Sequence, residues 1–584
     1  MKYLLTVTLS LFVLGIQTDL FAQGGRGGLA PQGGGGDQQA GGRQAGGQQG
    51  RGQQPGARGA AEDPAGTATI RGRVLATDTG APVRRAQVRA VAAGRRGNRL
   101  VTTDEQGMFE LRDLPTGRWN VTASKAGFVT MSFGQRRPFE AGRPIELSGA
   151  QTLERVDLVL PRGAAITGRL VDEFGDPVAR ARVRAQRYQL VQGTRRLTPV
   201  GVTAQSDDTG AFRLYGLMPG EYYVSAVLRA LPVDDPDDTM SYAPTYYPGT
   251  GSVTEAQPVS LDLGAEASVS FALMPVVTAR ITGSVLSSTG APLSNARVTL
   301  TAANSPGMPA AAFGSGGRVQ SDGTFSLSNV APGSYTLTAL SGRGRNAGPD
   351  AERGSAPITV AGEDLTSVMV ITSRGATLTG TVSGGWGTTE QPPTRRVRIA
   401  AQPVPFDPTP RSRPARVDTD GTFTLTNLFG PNILRVSGLP SEWMVEAILV
   451  AGSDVTDTPF DFRPNQAIEH AEIVLTDRVT QVSGTVRERS GAPSIDFTLV
   501  VFPEDDTKWT PQSRFVRSAR PDQQGLVKIL GLPPDVRYLA AAVDYVEEGG
   551  ASDPAFLNEI KGRASRFSLD PGASVTVDLT LVER

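Results

Sequence analysis

One phrase recurs five times along this 584-residue chain, and it leaves little freedom in what the chain can fold into. In the first copy it reads Thr69-Ile-Arg-Gly-Arg-Val74, Gly80-Ala-Pro-Val83, Ala86-Gln-Val88, Gly107-Met-Phe-Glu-Leu111, Leu114-Pro-Thr-Gly117 and Trp119-Asn-Val-Thr-Ala123. The opening glycines of the five copies, Gly72, Gly168, Gly283, Gly380 and Gly484, are spaced by 96, 115, 97 and 104 residues. Solenoid repeats have periods of roughly 20–50 residues and cannot bury a core alone. A repeat of domain size predicts that each copy closes over its own core.

Within a copy the period is two. Phe109-Glu-Leu111 and Trp119-Asn-Val-Thr-Ala123 alternate large apolar residues with polar or small ones, as a strand with one buried face requires. Most copies end on such a strand: Val156-Asp-Leu-Val-Leu160, Val269-Ser-Phe-Ala-Leu273, Ile473-Val-Leu475 and Val575-Thr-Val-Asp-Leu-Thr-Leu581. The corners have mechanical causes. Gly-Ala-Pro combines a residue that tolerates positive φ with one whose φ is fixed. Asp before Gly marks a hairpin, because the carboxylate bonds its own backbone and Gly accepts the left-handed state. About seven strands so punctuated predict a two-layer sandwich.

The second copy repeats the wording at Ile166–Leu170, Gly175–Val178, Asp208–Leu214 and Tyr222–Ala226, and the third at Ile281–Val285, Gly290–Leu293, Asp322–Leu327 and Tyr335–Ala339. The fourth lacks the Gly-Ala-Pro turn, and the fifth places Val527 where the others have Phe. These residues resemble the carboxypeptidase regulatory-like family, a transthyretin-like β-sandwich also grouped with carbohydrate-binding-like folds. The resemblance covers most of 66–584. It implies an all-β chain of tandem transthyretin-like or immunoglobulin-like sandwich modules. In exported or surface proteins such modules act as rigid spacers, accessory domains or ligand-contacting domains. The family's recurrent residues shape turns and core, so no catalytic role carries over to any position.

The expected organisation is a signal peptide over 1–22, a disordered Gly/Gln/Arg-rich linker over 23–65, and five sandwiches over 66–161, 162–275, 276–373, 374–477 and 478–584. Met1-Lys2-Tyr3, the apolar run Leu4–Ile16 and the small residue Ala22 form the leader pattern, with cleavage after Ala22. The linker carries too few apolar side chains to offset its ordering entropy. Short segments such as Pro161-Arg-Gly163 and Pro275-Val-Val277 are read as linkers that limit bending between modules.

Rare residues bound the chemistry. The chain has no Cys and one His, His470, so thiol catalysis, disulfides and any site needing two histidines are excluded within one chain. Lys+Arg and Asp+Glu both total 58, which argues against a dedicated nucleic-acid binder. His470, in Ile468-Glu-His-Ala-Glu472, has no nucleophile motif beside it and reads as a surface position. Asp104, Asp208, Asp322 and Asp420 recur just before a Gly, and turn formation accounts for them. Trp119, Trp386, Trp443 and Trp509 share no repeat position and form no binding stripe.

The second copy carries an insertion, Pro232-Val-Asp-Asp-Pro-Asp-Asp-Thr239, followed by Tyr242, Tyr246 and Tyr247. Asp234, Asp235, Asp237 and Asp238 are the candidate Ca²⁺ ligands, since that ion takes oxygen donors; a solvated acidic loop is the competing reading. The tyrosines are the candidate ligand-binding residues, against packing onto the sandwich. No catalytic residue, cofactor or transmembrane segment is expected. The functional expectation is an exported, non-catalytic modular scaffold or adhesion-like protein mediating cell-envelope protein interactions, in the periplasm, at the cell surface or secreted. The alternatives are a carbohydrate-binding protein for surface or environmental polysaccharide, and an accessory subunit of an envelope complex or transport system.

Overall fold

In the computed structural model the described residues are 66–92, 97–191, 193–228, 240–302, 316–342, 348, 350–385, 391–404 and 412–583. The expected leader, the Gly/Gln-rich stretch expected to be a linker, the four insertion aspartates and Trp386 lie outside them. The described residues fall within one compact unit, Glu62–Arg584.

The fold is all-β, in tandem sandwich modules. The buried apolar residues described gather into six clusters: one within each of the stretches 68–160, 164–273, 279–370 and 376–475, and two within 482–582. In the first module the opening strand Ala68–Ala76 lies between Met108–Leu114, antiparallel, and the closing strands Thr152–Leu153 and Leu158–Leu160, parallel. The second layer pairs Gln87–Ala92 with Asn98–Thr102 and Gly117–Ser124. The alternation read in the sequence is the alternation of burial: Ala68, Ile70, Val74 and Ala76 face inward from the opening strand.

The opening glycine is where this geometry is tightest. A Cβ on Gly72 would stand 2.0 Å from the carbonyl oxygen of Val156 and 3.0 Å from the Phe109 ring. At Gly168 the closing-strand carbonyl of Val269 would be 1.6 Å away, and at Gly283 that of Val368 would be 1.9 Å away. In the first, third and fourth modules the closing strand slips one residue of register there. The residues beside the slip, Arg155, Ser367 and His470, take left-handed φ of 60°, 61° and 61°. The chain's one histidine therefore shapes a bulge, with its side chain 94% exposed.

A second recurrent device closes each Pro-Gly corner. Trp119 Nε1 donates to the carbonyl of Pro115 at 3.0 Å, Tyr222 Oη to Met218 at 2.6 Å and Tyr335 Oη to Ala331 at 2.8 Å. One ring position thus fills the core and satisfies a carbonyl four residues back, which is why Trp and Tyr interchange there. Burial pushes the Tyr222 hydroxyl up to about 12.

The fifth module is built differently. Its parallel pairs Ala542–Leu581 and Val543–Val582 join what are two layers elsewhere into one sheet. Thr498–Pro503 is buried at every residue. Leu499 and Val501 face one core, and Val500 and Phe502 face another. The second core is covered by a helix, Pro554–Lys561, which packs Phe556, Leu557 and Ile560 inward. Asp553 caps that helix by accepting from Ala555 N at 3.0 Å.

Two expectations are corrected at this level. Pro275–Val277 is itself a strand, paired antiparallel with Met240–Tyr242 of the second module, so its backbone is engaged rather than linking. In the second module's hairpin the turn carboxylate is Asp207, which accepts from Thr209 N and Ala211 N at 2.9 Å each, and not its neighbour Asp208. Asp104 and Asp522 bond in the same i+2, i+4 pattern, whereas Asp322 and Asp420 sit two residues later and serve only the Thr that follows Gly.

Candidate functional site

The sequence-designated tyrosines of the second module turn toward its body. Tyr246 is only 9% exposed, the Tyr247 ring meets Phe271 edge-on at 6.0 Å, and Tyr242 Oη donates to Glu173 at 2.7 Å. The Tyr242 and Tyr247 rings pack on the module's core and Tyr246 is buried, so the three do not form a flat solvent-facing patch. Among the described residues no group of three or more His, Asp or Glu is placed to hold a metal ion.

The most elaborate polar geometry lies where the fifth module returns to the first two. Arg520 reaches Glu140 of the first module at 2.8 Å, and both side chains are 2% exposed. The same guanidinium bonds Asp496 of its own module and donates from Nη1 to the carbonyl of Ala141 at 2.9 Å. Arg143 answers from the other side, donating to the carbonyl of Asp522 at 2.6 Å. Gln523 behaves like a strand residue. It accepts from Glu146 N at 2.9 Å and donates to Glu146 O at 2.8 Å, capping the edge of strand Ile145–Leu147.

Around this pair the loop of residues 133–143 is held at several more points. Arg137 pairs with Asp544 at 2.9 Å, Tyr545 Oη donates to the carbonyl of Pro138 at 2.9 Å, and Glu548 N donates to Phe139 O at 2.8 Å. From the second module Arg187 places its guanidinium 3.4 Å from the Phe139 ring centroid and donates Nη2 to both Glu547 oxygens at 3.0 Å. Phe139 and Glu547 thereby join three modules through one arginine. The hairpin Arg182–Val191 and Thr194–Gln205 contains the longest strand described and reaches the fifth module at its end. There Gly549, with φ 83°, runs so close to Leu190 that a Cβ would stand 2.9 Å from its carbonyl.

The fourth module is tied to the fifth by Arg514, whose Nε and Nη2 hold Asp457 at 2.8 and 3.0 Å. Arg435 donates to the carbonyl of Gln512 at 3.0 Å, and burial lowers that guanidinium to about 10.

Between the first, second and fifth modules the contacts leave a cleft of about 860 Å³. Its walls carry Phe139, Tyr188, Tyr223 and Phe556, the cations Arg187 and Arg195, and the acids Glu221, Asp262, Glu547, Glu548 and Asp553. Tyr188 and Tyr223 meet edge to face, with centroids 5.6 Å apart and planes at 84°. None of these residues stands at a position that the repeat pattern marks. The one legible signal is the aromatic pair in Arg187-Tyr188 and Tyr222-Tyr223, of which Tyr222 is core and Tyr223 is its outward neighbour.

A tandem array of β-sandwich modules is the class that this fold defines. Residues 69–161 and 280–362, in the first and third modules, match the carboxypeptidase regulatory-like domain, consistent with a tandem repeat of such modules. No curated protein matches the chain. Among solved structures, the TIE protein of Bacillus anthracis aligns at 15% identity over 52% of this chain and 50% of its own, with a TM-score of 0.15. A streptococcal ancillary pilin aligns at 12% identity over 52% of this chain and 98% of its own, with a TM-score of 0.19. GBS52, a minor pilin of Streptococcus agalactiae, aligns at 10% identity over 36% of this chain and 96% of its own, with a TM-score of 0.20. Among the described residues no helix is long and apolar enough to cross a membrane.

Proposed function

We propose that the protein is an exported, non-catalytic modular scaffold that mediates protein interactions at the cell envelope. The observation that carries this reading is the junction itself. Arg520, Arg143 and Gln523 fix the fifth module against the first, and Arg187 fixes both against the second. A spacer needs contacts only between sequence neighbours. Contacts between the first and fifth modules hold several outer faces in a fixed relation, which is what a platform for partners requires. Export rests on the leader pattern ending at Ala22.

The reading is tested in cells by fractionation and N-terminal sequencing of the full chain, followed by in situ cross-linking. Mature protein beginning at Gln23 outside the cytoplasm, cross-linked to defined envelope proteins, is the expected result. Those cross-links should be lost in an Arg520→Ala variant. A cytoplasmic chain with an intact Met1, or a cross-link pattern indifferent to Arg520, would contradict the reading.

A further inference from the structure

We infer that the cleft between the first, second and fifth modules is a binding site for a neutral oligosaccharide. The inference rests on the clamped arrangement just described, because no single module owns all the walls. At about 860 Å³ the cleft lies toward the large end of the roughly 300–1,000 Å³ typical of ligand sites. That is more room than a single sugar ring needs.

The wall chemistry selects the ligand class. Two guanidiniums and five carboxylates line the cleft. A cationic segment would meet Arg187 and Arg195, and an anionic one would meet Glu221, Asp262, Glu547, Glu548 and Asp553. A neutral polyol uses both sets, because its hydroxyls donate to carboxylates and accept from guanidinium N–H groups. Arg187 supplies a specific reason to expect an acceptor. Its side chain is 11% exposed and its Nη2 is spent on Glu547, while its Nη1 is buried with no hydrogen-bond partner in the structure. Buried donors left unsatisfied are rare, and a small shift of the Phe139–Arg187 stack on binding would give this one an oxygen.

The aromatic corner supplies the remaining need. Tyr188 and Tyr223, half-buried and at right angles, offer two planes against which the C–H faces of successive sugar rings can lie. Phenol rings provide that contact at low entropic cost. Glu221 and Asp262 are exposed beside them, within the same wall, as acceptors for ring hydroxyls. Arg195 lies over Tyr188 at 4.8 Å, so that plane is reached when this exposed side chain swings aside.

The experiment is calorimetric titration of the full chain with neutral oligosaccharides of the maltose, cellobiose and chitobiose series, at low and high salt. At least one series should bind saturably and with little salt dependence. Tyr223→Ala and Asp262→Ala should each weaken it by about 10-fold or more, the worth of one buried contact. Tyr215→Ala, an exposed tyrosine outside the cleft, should leave it unchanged. Circular dichroism verifies that each variant is folded. No binding across the panel, or binding that ignores both cleft variants, overturns the inference. So does capture of a Lys/Arg-rich peptide that salt abolishes and Asp262→Ala weakens, which would assign the cleft to cationic peptides. Scattering from the same samples reports whether the modules are clamped, so failure of the site is distinguished from failure of the scaffold.

Discussion

Arg520 and Glu140 stand 380 positions apart in the sequence, yet their charged groups meet at 2.8 Å in a site from which each is almost excluded from water. Removing two charges from water is costly, and the cost is met only where geometry and further hydrogen bonds are good. Here most of those bonds are made. Asp496 and the Ala141 carbonyl hold the two Nη atoms of Arg520, leaving its buried Nε without a hydrogen-bond partner, and the backbone N–H groups of Arg136 and Arg137 bond Glu140 Oε2 at 2.9 and 3.2 Å.

Arg520→Ala strands Glu140 as a buried lone charge, and the junction should lose about 3–5 kcal/mol. Because each module keeps its own core, the loss should appear as local opening. Amides around 133–147 and 520–526 should exchange faster by hydrogen–deuterium mass spectrometry, with far-UV circular dichroism unchanged. Unaltered exchange there would remove the pair from the account.

The glycine that opens each module makes a sharper contrast. Gly168→Ala drives a methyl to 1.6 Å from the Val269 carbonyl, which neither strand can yield without losing its pairing. The second module should be destabilised by about 3 kcal/mol or more. Gly484→Ala meets only side-chain atoms, the nearest being Val527 at 3.2 Å and Leu499 at 3.4 Å, and should cost far less. Chemical denaturation of the two variants tests the ranking.

At the second module's hairpin, Asp207→Ala should lower thermal stability and Asp208→Ala should not. The Asp207 carboxyl is held below its ordinary range, first by the Thr209 hydroxyl and then by the Ala211 N–H. A depressed folded-state value means that its stabilisation is complete above the unfolded carboxylate range and fades as pH falls through the lowered one. The difference between wild type and Asp207→Ala should therefore shrink in acid. A difference that grows on acidification would contradict the assignment.

Tyr222→Phe keeps the ring and removes the hydroxyl that satisfies Met218 O. A buried acceptor then goes unpaired, at about 1–3 kcal/mol. Trp119→Phe in the first module should behave alike, since Pro115 O loses the same kind of partner. Equal stability of Tyr222→Phe and wild type would show that water replaces the hydroxyl.

How much of this was legible follows from where each feature is encoded. Alternation and corners are local, so Phe109-Glu-Leu111 announces a half-buried strand wherever it occurs. The fifth module departs because Thr498–Pro503 is buried on both faces, and a strand with two buried faces shows no alternation. Its helix did carry a start signal, Asp553-Pro554 ahead of Phe556, Leu557 and Ile560, but eight residues are too few to establish a helical period. The tyrosines Tyr242, Tyr246 and Tyr247 stood out by crowding, which a packed loop produces as readily as a binding surface. The junction left no trace in the repeat pattern. Arg520, Glu140, Gln523 and Arg187 are single polar residues in unlike contexts, and nothing in a one-dimensional period couples positions hundreds of residues apart.

The return of the fifth module onto the first is measured most directly by a distance between them. The chain has no cysteine, so Ser148→Cys with Gln524→Cys provides two unique label sites. Both are exposed, and they lie two residues and one residue from the Glu146–Gln523 contact. With a strand rise of about 3.4 Å per residue plus the label arms, pulsed electron–electron resonance should give one narrow distribution at about 2–3 nm. A broad distribution at long distance, as from modules strung end to end, would contradict the account.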